Sequence, residues 1–388
     1  MARGGAFALA GLLTFSVPVF PAAAIGSTAA PRLPEPTGSR TVGVTSLHLK
    51  DASRPDPWVT GATSRELMVS LWYPAAKPRD GHRAPYVTPK ESELLVKDAG
   101  LTGVPSDMLS KIQTNAFSDA VPAGGKHALP LVVLSPGFGS PRSSLTSLAE
   151  DLASRGNVVV GIDHTYESVA TAFPGGRITT CAACEHSKDT DFGEQVVRSR
   201  AADVSFILDR LTGSKPTWKG AALIDRSRIG MAGQSVGGAS SIAAMVKDSR
   251  IRAGVNMDGT TFAPIPKQGL SRPFLFLGSP TMHTPGGSPQ GKDGSWERDW
   301  AGLTGWKRWL VVTGAEHASF TDVPLLAEQL GIDHGAAMTG ARSTQITRAY
   351  VAAFFARHLR QKTQPLLDKP SARYPEVKFC SVSSKACR

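Results

Sequence analysis

Six short apolar runs mark the middle and end of the chain: Leu129–Leu134, Val158–Ile162, Ile229–Ala232, Ile251–Met257, Pro273–Leu277 and Trp309–Val312. Each is nearly continuous rather than alternating, which is how a strand buried on both faces reads. Between them lie segments with apolar residues at three- and four-residue spacing, clearest in Ser144–Arg155, Gln195–Leu211 and Ser343–Leu359; these predict helices. Strand and helix in alternation predict an α/β fold, a mostly parallel central sheet with helices on both faces. Two β-rich runs upstream, Thr41–Leu49 and Glu66–Trp72, predict an antiparallel start to that sheet. Residues 88–118 form an insertion with helical character around Glu91–Val96 and Asp107–Ile112. Residues 25–40, rich in Pro, Ser and Gly, predict a flexible leader. The folded domain then spans 41–362, with a tail over 363–388.

The first residues follow a different logic. Arg3 precedes an apolar stretch from Ala6 to Phe20, and Ala22-Ala23-Ala24 supplies small residues for a cleavage site. This predicts a secretory signal peptide over 1–24, cleaved near Ala24, and a secreted product. A membrane anchor is the rival reading, but the stretch is shorter than the ~20 apolar residues a span needs, and Pro18 interrupts it. Export makes the cysteines readable: Cys181, Cys184, Cys380 and Cys387 are disulfide candidates in an oxidising compartment. Local pairing is the simplest of three connectivities. A redox or zinc role for the Cys181–Cys184 spacing stands beside it, although a four-ligand zinc site needs partners that one such pair does not supply.

In an open α/β sheet, chemistry collects at the carboxyl ends of the strands. The run ending at Ala232 leads into Gly233-Gln234-Ser235-Val236-Gly237-Gly238 and then a small-residue helix. A serine flanked by glycine at −2 and +2 in that context is a nucleophile elbow, with Gly233, Gln234 and Gly237 around the hydroxyl of Ser235. The motif alone is weak; its place between strand and helix gives it meaning. A serine needs a histidine to take its proton and a carboxylate to orient the histidine. His317 follows the last buried run and fits the chain order serine, acid, histidine. His283, after the preceding run, is the rival, while His164 lines the region without being the base. His334 and His358 lie farther from any strand end.

The acid is found by elimination. Asp258 ends the run Ile251–Met257 beside the elbow strand, and no carboxylate follows the next run until Asp293. Asp293 would need a long loop to return, and Asp322 has a local loop role as its plain explanation. The oxyanion hole then requires two backbone N–H groups. Val236, after the nucleophile, supplies one; the glycine-flanked Phe138, in the loop after Leu129–Leu134, supplies the other.

Five segments together resemble the plasma-type platelet-activating-factor acetylhydrolases and their bacterial relatives: Leu71-Trp72-Tyr73-Pro74, Ser135-Pro136-Gly137-Phe138-Gly139, the elbow, Asn256-Met257-Asp258-Gly259, and Glu316-His317-Ala318-Ser319-Phe320-Thr321-Asp322. The resemblance covers roughly residues 45–360. It implies the α/β-hydrolase fold, an acid placed after the sixth strand, and a calcium-independent esterase acting on short or oxidised acyl chains of phospholipids. Two features depart from the family: Gln234 stands where histidine is usual, and residues 174–191 with their cysteine pair form an insertion. Serine chemistry of this kind needs no cofactor and no metal. A polyester or cutinase-like hydrolase, a lipase-type carboxylesterase, a peptidase and a non-catalytic secreted binding module are the rival functions.

Composition bounds the rest. The chain has 388 residues, beyond the ~250–300 at which one core usually stops growing, so it is a large decorated domain or two domains. The formal net charge is +11, and residues 351–388 carry eight Lys or Arg against two acids. The basicity therefore belongs mostly to the tail and gives no case for nucleic-acid binding. The partner that the serine chemistry and the family resemblance imply is a small-molecule or lipid ester; for the tail, a solvated extension is the expected reading, with a transient contact to anionic membranes or cell-wall polymers as the alternative. The oligomeric state is not legible.

Overall fold

The computed structural model describes residues 30–287 and 294–388. The expected signal peptide and Asp293 lie outside them. Eleven strands form one sheet among the described residues, in the order β13-β12-β11-β10-β9-β8-β4-β5-β2-β1-β3. The early strands are β1 (Val42–Asp51), β2 (Arg65–Pro74), β3 (Phe117–Ser118), β4 (Leu129–Ser135) and β5 (Val158–His164). A separate ribbon pairs β6 (Thr171–Ala172) with β7 (Ile178–Thr179). The later strands are β8 (Ile224–Gln234), β9 (Ile251–Met257), β10 (Phe274–Gly278), β11 (Lys307–Val312), β12 (Val377–Ser381) and β13 (Ala386–Cys387). From β5 through β4, β8, β9 and β10 to β11 every pairing is parallel; β1, β2 and β12 join antiparallel.

The continuous apolar runs are explained by burial on both faces. Along β4, Leu131 and Val133 face a cluster with Val204, Ile207 and Leu208 of α3 (Phe192–Thr212). Val132 and Leu134 face the opposite cluster, with Leu148 and Leu152 of α2 (Thr146–Ser154) and Phe354 and Phe355 of the C-terminal helix Gly340–Arg360. Each buried Leu or Val contributes about 1.5–3 kcal/mol relative to exposure, so the central strands carry much of the fold. The insertion over 88–118 holds α1 (Pro89–Asp98), whose start is a capping box between Thr88 and Glu91 with Pro89 in the first turn.

Two boundaries differ from the sequence reading. Residues 30–40 are not a free leader: Leu33 is 3% exposed, Thr37 donates from its N–H to Asp151 Oδ1 at 2.8 Å, and Arg348 donates to the Pro34 and Glu35 carbonyls. Pro- and Gly-rich composition marks irregular backbone, and here long-range bonds hold that backbone in place. Nor is 363–388 a solvated extension. Leu367, Tyr374 and Val377 are buried, β12 pairs with β11 at Val311↔Lys378, and β13 closes a hairpin through Cys380↔Cys387. The segment is the edge of the sheet.

Candidate active site

The carboxyl ends of β4, β8, β9 and β11 converge on Ser235. Ser235 joins β8 to α4 (Val236–Lys247) with φ 55° and ψ −129°, a strained conformation that lifts its side chain out of the sheet. The turn depends on its glycines: a Cβ at Gly237 would collide with the Ser135 carbonyl, and one at Gly233 with the Gly237 backbone. The Ser235 N–H donates to the Met257 carbonyl at 2.8 Å, tying the elbow to the end of β9.

His317 begins a 3-10 turn, His317–Phe320, in the loop after β11. Its Nε2 lies 2.9 Å from Ser235 Oγ, and its Nδ1 lies 2.7 Å from Asp258 Oδ2. Half of the His317 side chain is exposed, whereas Asp258 is fully buried. Burial opposes ionisation of Asp258, but the His317 hydrogen bond, the His283 and His317 rings and the Ser279 N–H (2.6 Å) outweigh it and hold the carboxyl below the usual carboxylate range. Burial likewise pulls the His317 imidazole down, and its bond to Asp258 and that carboxylate's charge raise it above the ordinary 6.5. A neutral ring with Nδ1–H committed to Asp258 presents a bare Nε2 to the hydroxyl, the arrangement needed to accept its proton.

The loop after β4 passes directly over the serine. A Cβ at Gly137 would lie 2.5 Å from Gln234 Oε1 and 3.4 Å from Ser235 Cβ, so the loop carrying Phe138 borders the hydroxyl. Val236 is the first residue of α4, where backbone N–H groups lack an intrahelical acceptor. Apolar side chains build the adjoining wall. Phe138 meets Phe192 edge to face at 5.1 Å, Phe192 meets Trp58 at 5.6 Å, and Val236 and Ala239 belong to the same cluster.

The rival residues have other occupations. His283 is 2% exposed, stacks on Trp296 with centroids 3.7 Å apart and lies 3.8 Å from Asp258 Oδ1, on the side away from Ser235's partner. Asp322 accepts from the Ser147 N–H at 3.1 Å and from its hydroxyl, at the start of α2. Burial pushes its carboxyl up to about 7. His334 pairs with Glu328 at 3.0 Å, and His358 packs on Trp306. His164 is buried beneath the loop, bonded to Ser135 at 3.0 Å and Asp203 at 2.7 Å.

One contact had no sequence signal beyond its position in the elbow: Gln234 Nε2 donates to the His317 carbonyl at 3.0 Å. The cysteines pair locally, Cys181–Cys184 and Cys380–Cys387. That pairing consumes the thiolates a zinc site at Cys181 and Cys184 would need.

Residues 25–188 and 209–362 match the family described as Platelet-activating factor acetylhydrolase, isoform II. A probable 1-alkyl-2-acetylglycerophosphocholine esterase of Arthroderma benhamiae is 29% identical over 386 residues, covering 89% of this chain and 93% of that protein. The platelet-activating factor acetylhydrolase of Cavia porcellus is 24% identical over 64% of this chain and 60% of its own. Among solved structures, a ferulic acid esterase from Streptomyces cinnamoneus superposes with a TM-score of 0.81 at 43% identity, covering 91% of this chain and all of that one. With the family matched over most of its length and a parallel sheet that superposes on an esterase, this chain belongs to the platelet-activating factor acetylhydrolase family and is a carboxylic ester hydrolase of the α/β-hydrolase fold.

Proposed function

We propose that the chain hydrolyses esters through a Ser235–His317–Asp258 triad in two steps. The observation that carries this reading is the hydrogen-bonded line from Ser235 Oγ to His317 Nε2 (2.9 Å) and from His317 Nδ1 to Asp258 (2.7 Å). His317 takes the hydroxyl proton as Ser235 Oγ attacks the ester carbonyl carbon. The N–H groups of Val236 and Phe138 hold the oxyanion. Collapse of the tetrahedral intermediate breaks the bond to the alcohol, which leaves with the proton held on His317 Nε2. Water then loses a proton to His317 as it attacks the acyl-serine carbonyl, and collapse of the second tetrahedral intermediate breaks the bond to Ser235 Oγ, which takes that proton back from His317 as the acid leaves. Asp258 keeps the ring oriented and stabilises the imidazolium. Each oxyanion donor is worth about 2.7–4 kcal/mol in the transition state.

The substrate proposed from the family is a short or oxidised acyl ester of a phospholipid. A second reading, an aromatic acyl ester of the kind a ferulic acid esterase takes, is favoured by the Phe138–Phe192–Trp58 wall beside the nucleophile and by the Streptomyces relative. Export fits two disulfides, which persist in oxidising compartments, and no helix among the described residues is long and apolar enough to cross a membrane. The experiment is a panel on purified protein and Ser235→Ala: short-acyl phosphatidylcholine, a ferulic acid ester, triglyceride and insoluble polyester. Turnover of phosphatidylcholine above the aromatic ester supports the lipid reading; the reverse order supports the second. Turnover that survives in Ser235→Ala overturns the triad.

A further inference from the structure

Beneath the loop that carries Phe138 lies a second serine–histidine–aspartate relay. Ser135, the last residue of β4, has its Oγ 3.0 Å from His164 Nε2, and His164 Nδ1 is 2.7 Å from Asp203 Oδ2. The three side chains are 0–2% exposed, so no substrate reaches this hydroxyl and the relay is not a second active site. Its protons can be assigned. Burial opposes ionisation of Asp203, yet Arg65 and His164 outweigh it and keep the carboxyl ionised. Burial and the Arg200 charge hold His164 neutral despite Asp203. His164 therefore donates from Nδ1 to Asp203 and accepts from the Ser135 hydroxyl at Nε2. The Ser135 oxygen is left facing Arg200 Nη1, which donates to it at 3.1 Å.

Arg200 connects this relay to the loop. Its Nη1 also donates to the Pro136 carbonyl at 2.6 Å, and its Nε donates to Glu167 Oε2 at 2.7 Å. Glu167 closes the circuit from the other end of the loop, since its own backbone carbonyl accepts the Gly139 N–H at 2.8 Å. The segment Pro136–Gly139 is thus held at both ends by two buried residues that are ion-paired with each other, and the Phe138 amide lies between the two anchor points. Trp58 Nε1 bonds the remaining Glu167 oxygen at 3.0 Å, and Arg65, fully buried, pairs with Asp56, Glu167 and Asp203.

Stability alone is a poor reason for so much buried charge, because desolvation offsets most of the attraction and apolar packing of the same volume does as well or better. What fixed charges with satisfied partners supply is orientation, and the group they orient here is a backbone amide next to Ser235. We propose that Arg200, aimed by Glu167 and by the Ser135–His164–Asp203 relay, is a positioning residue that fixes the Phe138 amide for the oxyanion. The proposal rests on the triad and oxyanion roles argued above.

The test uses p-nitrophenyl acetate with three variants of the full chain, each checked for folding by circular dichroism. Lysine replaces the planar fork of arginine by a point donor, so Arg200→Lys loses the simultaneous grip on Pro136 and Glu167. Its kcat is expected to fall about 10- to 100-fold with KM within about twofold, since the oxyanion contact is made only in the transition state. Ser135→Ala removes one hydroxyl, keeps the Arg200–Pro136 bond and is expected to lower kcat about 3- to 10-fold at the same KM. It decides the matter alone where Arg200→Lys does not fold. Wild-type kcat in the folded variants, or a loss confined to KM, overturns the positioning role. Ser235→Ala run in parallel separates the two levels: full turnover there defeats the triad itself, whereas a dead Ser235→Ala with unimpaired network variants defeats only this inference.

Discussion

Gln234 donates from Nε2 to the backbone carbonyl of His317 at 3.0 Å, while its Oε1 lies against Gly137 in the loop over Ser235. One side chain of the elbow thereby spans the loop of His317 and the loop that carries Phe138, at the position where the resembling family usually carries histidine. The residue is 4% exposed, so the bond is shielded from water. Gln234→Leu keeps the volume and removes the donor; at about 1 kcal/mol for one hydrogen bond, kcat is expected to fall about fivefold. Gln234→His retains a ring N–H able to reach the same carbonyl and is expected to keep more activity. Equal kcat for Leu and His at this position would show that the bond does nothing for turnover.

Removing the hydroxyl is the most direct perturbation. Ser235→Ala is expected to lower hydrolysis of a short p-nitrophenyl ester by about 10⁴-fold or more, and to abolish labelling by a fluorophosphonate probe. Because Ser235 sits at φ 55°, alanine inherits the same backbone strain, and the melting temperature should move little. Labelling that persists at another residue would relocate the nucleophile.

The acid separates Asp258 from its competitor. Asp258→Asn keeps the shape but leaves a side chain that cannot enforce the same tautomer of His317, and kcat is expected to fall about 10⁴-fold. Asp293→Asn is expected to retain wild-type kcat. His283 also approaches Asp258, at 3.8 Å, but it stacks on Trp296. His283→Asn should therefore show its effect in thermal stability more than in chemistry.

How far these assignments were legible before the structure depends on the range of the interactions involved. The strands β4 to β11 show as continuous apolar runs because both faces are covered, and Ser235, Asp258 and His317 follow from chain order and strand ends. Beyond that, local pattern fails. Residues 30–40 look unstructured by composition, yet Thr37 is held by Asp151, 114 residues away. The strand β12, one in from the sheet edge, has a charged residue between Val377 and Phe379 and only three register pairs with β11, too little to stand out from a basic tail. Arg200 and Glu167 read as ordinary charged residues of a helix and a loop. Their bonds to Pro136 and Gly139 exist only once β4, β5 and α3 are packed.

The pH dependence follows from His317. Burial lowers its pKa, but the Asp258 bond and charge dominate and raise it above 6.5. Only the neutral ring accepts a proton, so kcat/KM should rise with pH through a midpoint above 6.5. The linkage to stability has the opposite sign. The protonated ring is favoured in the folded state, so its contribution is fully present below the unfolded value near 6.5 and is lost as pH rises through the folded value. Activity and this component of stability therefore exchange across the same window. In His317→Ala the component disappears, and the difference in unfolding free energy between wild type and variant should shrink from pH 6 to pH 8. A constant difference would mean that His317 titrates alike in both states.

The C-terminal hairpin offers a test of whether the sheet edge supports catalysis. Cys380 and Cys387 close a loop of sequence separation 7 on a strand that pairs with β11, and β11 leads into the loop holding His317. A native disulfide contributes about 2–4 kcal/mol through the unfolded chain; a short loop belongs at the low end. The hairpin has other anchors: Arg342 pairs with Glu376, Val377 is 1% exposed, and the Thr313 N–H donates to the Glu376 carbonyl at 2.9 Å. These lie before Cys380, so they persist when the hairpin tip opens. The double variant Cys380→Ser, Cys387→Ser is therefore expected to lower stability by about 2 kcal/mol while leaving kcat at 25 °C within about twofold of wild type. Truncation before Glu376 removes the strand itself and the carbonyl that accepts the Thr313 N–H, exposing the β11 edge and freeing the turn that precedes His317. Its kcat should fall well below that of the double serine variant. Equal loss in both would place the disulfide, and not the strand pairing, in control of the histidine loop.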